Sequence, residues 1–317
     1  MPGLTVSLVR GAVTSPFKAA GRSGAALPPA RAVLPAARIV PRRLASYRRI
    51  CGFTAPDVLP LTYPHVLGFP LAMRVMTGRA FPLPVLGLVH TWIEITGHRA
   101  LRPADAPELT VYAEALTPHR RGTEVTMVTQ ARLAGELVWE SRSGYLSRHS
   151  TKKAPATAAP QTPAPSSPAA GGPDADAPAH AHADAAVQAG GPATDPAIES
   201  PTAPARDALP AVAEWRVPGD LGRRYGAVSG DRNPIHLHPL TARLFGFPRH
   251  IAHGMWTVAR CLAEAEASGP GRIRTVRADF RAPVLLPATV TYAATGPAFE
   301  VRGSGRVHLT GRVTHEG

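Results

Sequence analysis

Cysteine is scarce in this sequence: Cys51 and Cys261 are its two thiols, in separate apolar stretches of a 317-residue chain. Two thiols are too few for a disulfide framework at this size, so a reducing, cytoplasmic location is expected. Long apolar runs are missing as well. No stretch approaches the roughly 18 to 20 uninterrupted apolar residues a spanning helix needs, and membrane insertion is not expected. Acidic residues are absent from the first 56 positions, Asp57 being the first. That opening stretch carries Arg10, Lys18, Arg22 and Arg31 among Ser and Ala, which superficially matches an organellar transit peptide. Arginine outnumbers lysine along the whole chain, however, so the bias does not single out this end. A secretory signal is also not expected, because Val6 to Val13 is broken by Arg10.

Between positions 151 and 208 the chain is rich in Ala and Pro and has no aromatic residue. Such a segment cannot bury enough apolar surface to offset its ordering entropy, and it reads as a disordered linker. Four divisions follow: an N-terminal extension over 1–27, a first domain over 28–150, the linker over 151–208, and a second domain over 209–317. The net charge of +13 invites a nucleic-acid reading. The arginines are dispersed among predicted strands and loops, without stacked aromatics or a helix-turn-helix pattern, so no nucleic-acid partner is expected.

Within the second domain, Ser229-Gly230-Asp231-Arg232-Asn233-Pro234-Ile235-His236 places a carboxylate and an imidazole on one short turn. Pro234 fixes its own φ and drives Asn233 out of the α region, which holds Asp231 and His236 on a tight loop. Seventeen residues beyond His236 comes His253-Gly254-Met255, opening a mostly apolar helix with Met255, Val258, Leu262 and Ala265 at helical spacing. The first amides of a helix lack internal acceptors and lie at its positive end, so they can stabilise an oxyanion. Gly254 has no side chain to block that approach.

Three blocks together resemble the MaoC-like family of (R)-specific enoyl-thioester hydratases and 3-hydroxyacyl-thioester dehydratases. They are Tyr225-x3-Ser229-Gly230-Asp231-x-Asn233-Pro234-Ile235-His236, then Phe245-Gly246-Phe247-Pro248, then Ile251-Ala252-His253-Gly254-Met255. The resemblance implies the hotdog fold and reversible interconversion of trans-2-enoyl and (R)-3-hydroxyacyl thioesters without a cofactor. It also implies acyl-CoA or an acyl carrier protein as the thioester carrier. On this reading Asp231 and His236 are the catalytic pair, and Gly254 and Asn233 serve oxyanion and substrate binding. His253 is assigned a structural or substrate contact rather than catalysis. Family members often carry a serine within the central helix, and Thr257 is its candidate substitute. The basic surface would steer an anionic carrier, with Arg249, Arg272 and Arg274 as candidate contributors.

The first domain repeats this pattern without its chemistry. Tyr47-x3-Cys51-Gly52-Phe53 aligns with Tyr225-x3-Ser229-Gly230-Asp231, and Pro64-His65-Val66-Leu67 with Ala252-His253-Gly254-Met255. Phe53 stands where Asp231 stands, and Val58 falls where His236 would. Leu61 to Pro70 and Leu86-Gly87-Leu88-Val89-His90 also look like the degenerate half of double-hotdog dehydratases. The expected fold is therefore α+β, two curled antiparallel sheets wrapping two central helices, with the first copy shaping an acyl tunnel. Pro70 predicts a kink or a late start in the first central helix. A homodimer of double hotdogs is left open.

A metal site from Asp231, His236, His238, His250 and His253 lacks the spacing of a recognised zinc motif, and none is expected. Two other readings stay in view: a non-catalytic acyl-carrier-binding hotdog and a hotdog thioesterase.

Overall fold

Burial alternates along the strands, beginning with β1 (Ala32–Leu34), where Ala32 is buried and Val33 exposed. The computed structural model describes residues 26–149 and 208–316, except 30, 86 and 270. The expected linker and nearly all of the expected N-terminal extension lie outside the described residues.

After β1 come two helices, α1 (Pro41–Cys51) and α2 (Tyr63–Met76), and four strands: β2 (Val89–Gly97), β3 (Glu108–His119), β4 (Gly122–Leu133) and β5 (Glu136–Arg148). The second half repeats the scheme with β6 (Ala211–Val217), α3 (Leu221–Ser229), two short helices α4 (Pro234–Leu237) and α5 (Pro239–Leu244), and the long α6 (Gly254–Ser268). Strands β7 (Ile273–Phe280), β8 (Ala288–Thr295), β9 (Ala298–Gly303) and β10 (Arg306–His315) complete it.

Strand order shows the duplication more clearly than sequence does. One ten-stranded sheet runs β1-β3-β4-β5-β2-β7-β10-β9-β8-β6. Each half places its first strand outermost and its second strand at the centre. The centre is an antiparallel seam from Trp92↔Asp279 to Thr96↔Thr275. The two expected curled sheets are joined edge to edge along this seam. An edge strand presents a row of unpaired N–H and C=O groups, and β2 and β7 satisfy each other's.

The two halves also share their local devices. Helices α1 and α3 both end on a left-handed glycine, Gly52 at φ 87° and Gly230 at φ 84°, each closing back onto a carbonyl four residues earlier. The aligned glycines of the two motifs are thus helix C-caps. The first central helix, α2, begins at Tyr63 and continues through the exposed Pro70 to Met76, so it does not start late. Its buried residues, from Tyr63 and Val66 to Met73 and Met76, anchor it against β1, β3 and β4, and that packing outweighs one lost helical bond.

Alternation in the last strand is less regular than its residues suggest. Leu309 and Val313 are buried, but Val307 is exposed and His308 buried, because the pairing of β10 with β9 shifts between Val307 and Leu309. A bulge reverses the faces on either side of it.

Core residues from both halves form one cluster. Trp256 in α6 donates its indole N–H to the Ile50 carbonyl, and Arg43 Nε donates to Val228 O at 2.6 Å. The result is an α+β double hotdog. Among the described residues no helix is long and apolar enough to cross a membrane.

Candidate active site

Asp231 follows the Gly230 cap, where the chain leaves α3 and turns sharply. Its backbone N–H donates to Ser229 Oγ at 3.2 Å, and one carboxylate oxygen, Oδ1, accepts from Asn233 N at 3.1 Å. Asn233 in turn caps α4, accepting from Ile235 N at 3.3 Å through Oδ1, while its carbonyl accepts from His236 N. These successive Asx bonds fix the loop in the geometry the Asn-Pro pair predicts. The Asn233 side chain is thus occupied with the loop itself.

His236 lies in α4, buried, and its Nδ1–H donates to the Ile251 carbonyl at 2.8 Å. The Ile251 N–H returns a bond to Ile235 O at 3.1 Å, so the His236 loop and the approach to α6 are tied twice. A neutral imidazole has one N–H and one lone pair, so with Nδ1 protonated the lone pair is on Nε2. Burial lowers the His236 pKa, with the Asp231 charge opposing, and the ring is neutral at neutral pH.

His253 is the N-cap residue of α6 and is almost wholly buried. Its Nε2–H donates to the Asp231 backbone carbonyl at 3.0 Å and lies 3.9 Å from Oδ2 of the same residue. Its ring stacks on His236 at 3.7 Å between centroids, and Tyr225 tilts against it at 4.9 Å. Burial, reinforced by the neighbouring His236, depresses the His253 pKa well below the ordinary value. These contacts are those of a positioning residue joining the Asp231 turn to the helix. Thr257 follows one turn on, buried, with its hydroxyl on the His253 carbonyl at 3.4 Å.

Gly254 is the first residue of α6, where the amides lack intrahelical acceptors. A Cβ built there would lie 2.7 Å from Phe280 Cε1, so the helix start and the end of β7 are in close contact. The Asp231 carboxylate, about a quarter exposed, completes the constellation. A nitrogen of His236, a nitrogen of His253 and an oxygen of Asp231 all lie within 4.8 Å of one another.

That convergence has the outline of a metal site. His238 is exposed and caps α5, and His250 Nε2–H donates to Gly219 O at 2.6 Å, so neither joins it. Asp231, His236 through Nε2 and His253 through Nδ1 keep lone pairs, a set with one carboxylate and no cysteine.

Sequence reasoning missed several contributors. Gly222 in α3 passes so near the His236 carbonyl that a Cβ there would lie 1.8 Å from the oxygen. The first half also reaches the site: the Asp231 charge acts on both His65 and Tyr145. His65 and His90 stood inside the quoted first-copy motifs, which was the signal available for them. Arg272 and Arg274 lie at the other end of β7 from Phe280, roughly 23 Å along the strand, and so are not site residues. Arg272 is paired with Glu316. A cavity of about 320 Å³ sits near that far end, lined by residues including Val58, Leu59, Pro64, Trp139, Glu266 and Arg272.

Comparison with known proteins identifies the family and the fold. A family model described as a MaoC like domain matches residues 209–315. The 3-hydroxyacyl-thioester dehydratase X of Mycobacterium tuberculosis is 34% identical over 282 residues, 87% of this chain and 85% of that protein. The crystal structure of HtdX of Mycobacterium tuberculosis superposes with a TM-score of 0.67 at 31% identity, covering 90% of this chain and 99% of that one. A MaoC-like dehydratase from Phytophthora capsici shares the fold, with a TM-score of 0.61 at 17% identity over 92% of this chain and 97% of that one. A duplicated hotdog with its polar constellation in the second half defines the class. The chain belongs to the MaoC-like dehydratase family.

Proposed function

We propose that the chain is a hydro-lyase that adds water reversibly to a trans-2-enoyl thioester, giving the (R)-3-hydroxyacyl thioester. The observation that carries this reading is the convergence of Asp231 and a neutral His236 beside the first turn of α6. The 34% identity to a protein named for 3-hydroxyacyl-thioester dehydration supports it, and the (R) hand comes from the family resemblance.

In the hydration direction a water lies between Asp231 and His236. The His236 Nε2 lone pair takes a proton as the oxygen bonds to the β-carbon, and the Asp231 carboxylate accepts a hydrogen bond that orients the water. Electrons of the C=C bond move onto the thioester oxygen, where the Gly254 N–H stabilises the enolate, a term of about 3 kcal/mol per donor in comparable sites. Protonation of the α-carbon by the imidazolium restores neutral His236 and the thioester. Water supplies both the hydroxyl and the proton that are added, so no cofactor takes part. General acid/base catalysis of this kind contributes about 10² to 10⁴ in rate.

The carrier of the acyl group is coenzyme A or an acyl carrier protein, the enzyme works in the cytoplasm, and a homodimer of double hotdogs is its candidate assembly. The test is loss of the enoyl-thioester absorbance on mixing with crotonyl- and longer trans-2-enoyl-CoA, with free thiol followed in parallel. Absorbance loss without thiol release is expected. Thiol release would indicate a thioesterase, and no change with any CoA thioester an acyl-carrier-protein substrate or a binding module.

A further inference from the structure

The degenerate half places a buried, unpaired acceptor beside the oxyanion-binding turn. His90, on β2, lies flat against Tyr145 of β5 at 4.5 Å between centroids and tilts on Phe280 of β7 at 4.7 Å. Phe280 is the ring that covers Gly254. Phe280 is thus in contact with His90 on one side of the chain duplication and with Gly254 on the other. His65, parallel to His90 at 6.3 Å, has its Nδ1 on Ser141 Oγ at 3.3 Å. The Asp231 charge is felt at both His65 and Tyr145, so the acid lies near these two residues.

Among the described residues, His90 Nε2 is buried without a hydrogen-bond partner. Burial and the neighbouring His65 hold the ring neutral, its pKa pushed down to about 3. The opposing influence is a hydrogen bond with the Trp92 backbone that favours the protonated ring, as a carbonyl accepting from a ring N–H does. With that N–H committed, Nε2 carries the lone pair. A desolvated acceptor with nothing to accept is destabilising, and a fold keeps one readily where a ligand supplies the donor. A simple alkyl enoyl chain has no donor. The amide N–H of the arm bearing the thioester has one, and so does the O–H of a hydroxylated acyl chain.

We propose that His90 is a substrate-contacting residue of this enzyme, its Nε2 accepting a hydrogen bond from an N–H or O–H donor carried by the substrate close to the reacting carbons. The inference rests on the hydratase reading. It assigns to the half without the acid a direct share in recognition, with Tyr145 and Phe280 fixing the ring.

His90→Phe keeps the aromatic stack and removes the acceptor. It is compared with the wild type on three substrates: crotonyl-CoA, the S-methyl thioester of crotonic acid, and the S-methyl thioester of trans-5-hydroxy-2-hexenoic acid. If the donor is the amide of the arm, kcat/KM falls roughly tenfold for crotonyl-CoA alone, the scale of one neutral hydrogen bond. If the donor is on the acyl chain, the loss is confined to the hydroxylated thioester. Equal losses on all three, or none on any, overturn the proposal. His90→Gln, which retains an acceptor oxygen, serves if His90→Phe does not fold, and it is expected to lose less than His90→Ala on the donor-bearing substrate and equally on the others. Titration with saturated butyryl- and 5-hydroxyhexanoyl-CoA separates this inference from the reaction itself. Weaker binding of at least one to His90→Phe supports the contact even if the wild type hydrates nothing; unchanged binding of both overturns it.

Discussion

Replacing Gly254 by Ala tests the close contact at the start of α6. The added Cβ would lie 2.7 Å from Phe280 Cε1 and 3.1 Å from both Cδ1 and Cζ. Carbon atoms pack best at about 3.5 to 4.0 Å, so the ring must withdraw by about 0.8 Å or the helix start must move. Phe280 has little room to yield, since His90 lies 4.7 Å behind it and Tyr145 is stacked on His90. Overpacking of this kind costs about 1 to 3 kcal/mol, offset in part by the roughly 0.5 to 1 kcal/mol by which Ala favours a helix over Gly. Net destabilisation of about 2 kcal/mol at most is expected in urea melts. The effect on turnover is larger, because displacing an oxyanion donor by about 1 Å costs on the order of 10² in rate. Phe280→Leu, made in the Gly254→Ala background, makes room for the methyl group and is expected to recover part of the loss. Wild-type turnover by Gly254→Ala would refute the placement of the oxyanion at this turn. Failure of Phe280→Leu to recover any activity would refute the steric route.

Gly222→Ala drives a methyl group against the His236 backbone carbonyl, which cannot rotate away as a side chain can; a loss of about 3 kcal/mol or more in urea unfolding, together with loss of turnover, is expected. Stability is also expected to fall with pH. The unfolded chain protonates His65 below its ordinary 6.5, whereas burial keeps the folded residue neutral down to about 4. Between those values the unfolded state holds more protons, so His65 alone removes about 2 kcal/mol between pH 7 and pH 5, with His90, His236 and His253 acting in the same direction. Unfolding midpoints that do not fall over that range would contradict the burial of these histidines.

Local chemistry was legible in the sequence because it is written in neighbouring residues. Gly230, Asp231, Asn233, Pro234 and His236 make their turn through bonds spanning two or three positions, and the composition of those positions dictates it. The repeat was legible for the same reason, since both copies use a left-handed glycine to end the helix before the turn. What stayed hidden depends on partners far apart in the chain. Pairing of β2 with β7 joins segments about 180 residues apart, and nothing in either strand's hydrophobic pattern names the other. His65 and Tyr145 feel the Asp231 charge from the other half of the chain, so a half read as chemically silent conceals polar groups near the acid. Pro70 allows a late start to be expected, whereas α2 begins at Tyr63 and its buried face carries the helix through the proline. Val307 misleads because a bulge leaves no signature in an alternating run.

Parallel turnover measurements on Asp231→Asn and His236→Ala, with trans-2-enoyl-CoA as substrate and folding checked by thermal melts, test the central claim most directly. Both variants are expected to fold and each to lose roughly a hundredfold or more in kcat, the scale of a missing acid or base. Near-normal turnover in either folded variant would contradict the assignment of the reaction to this pair.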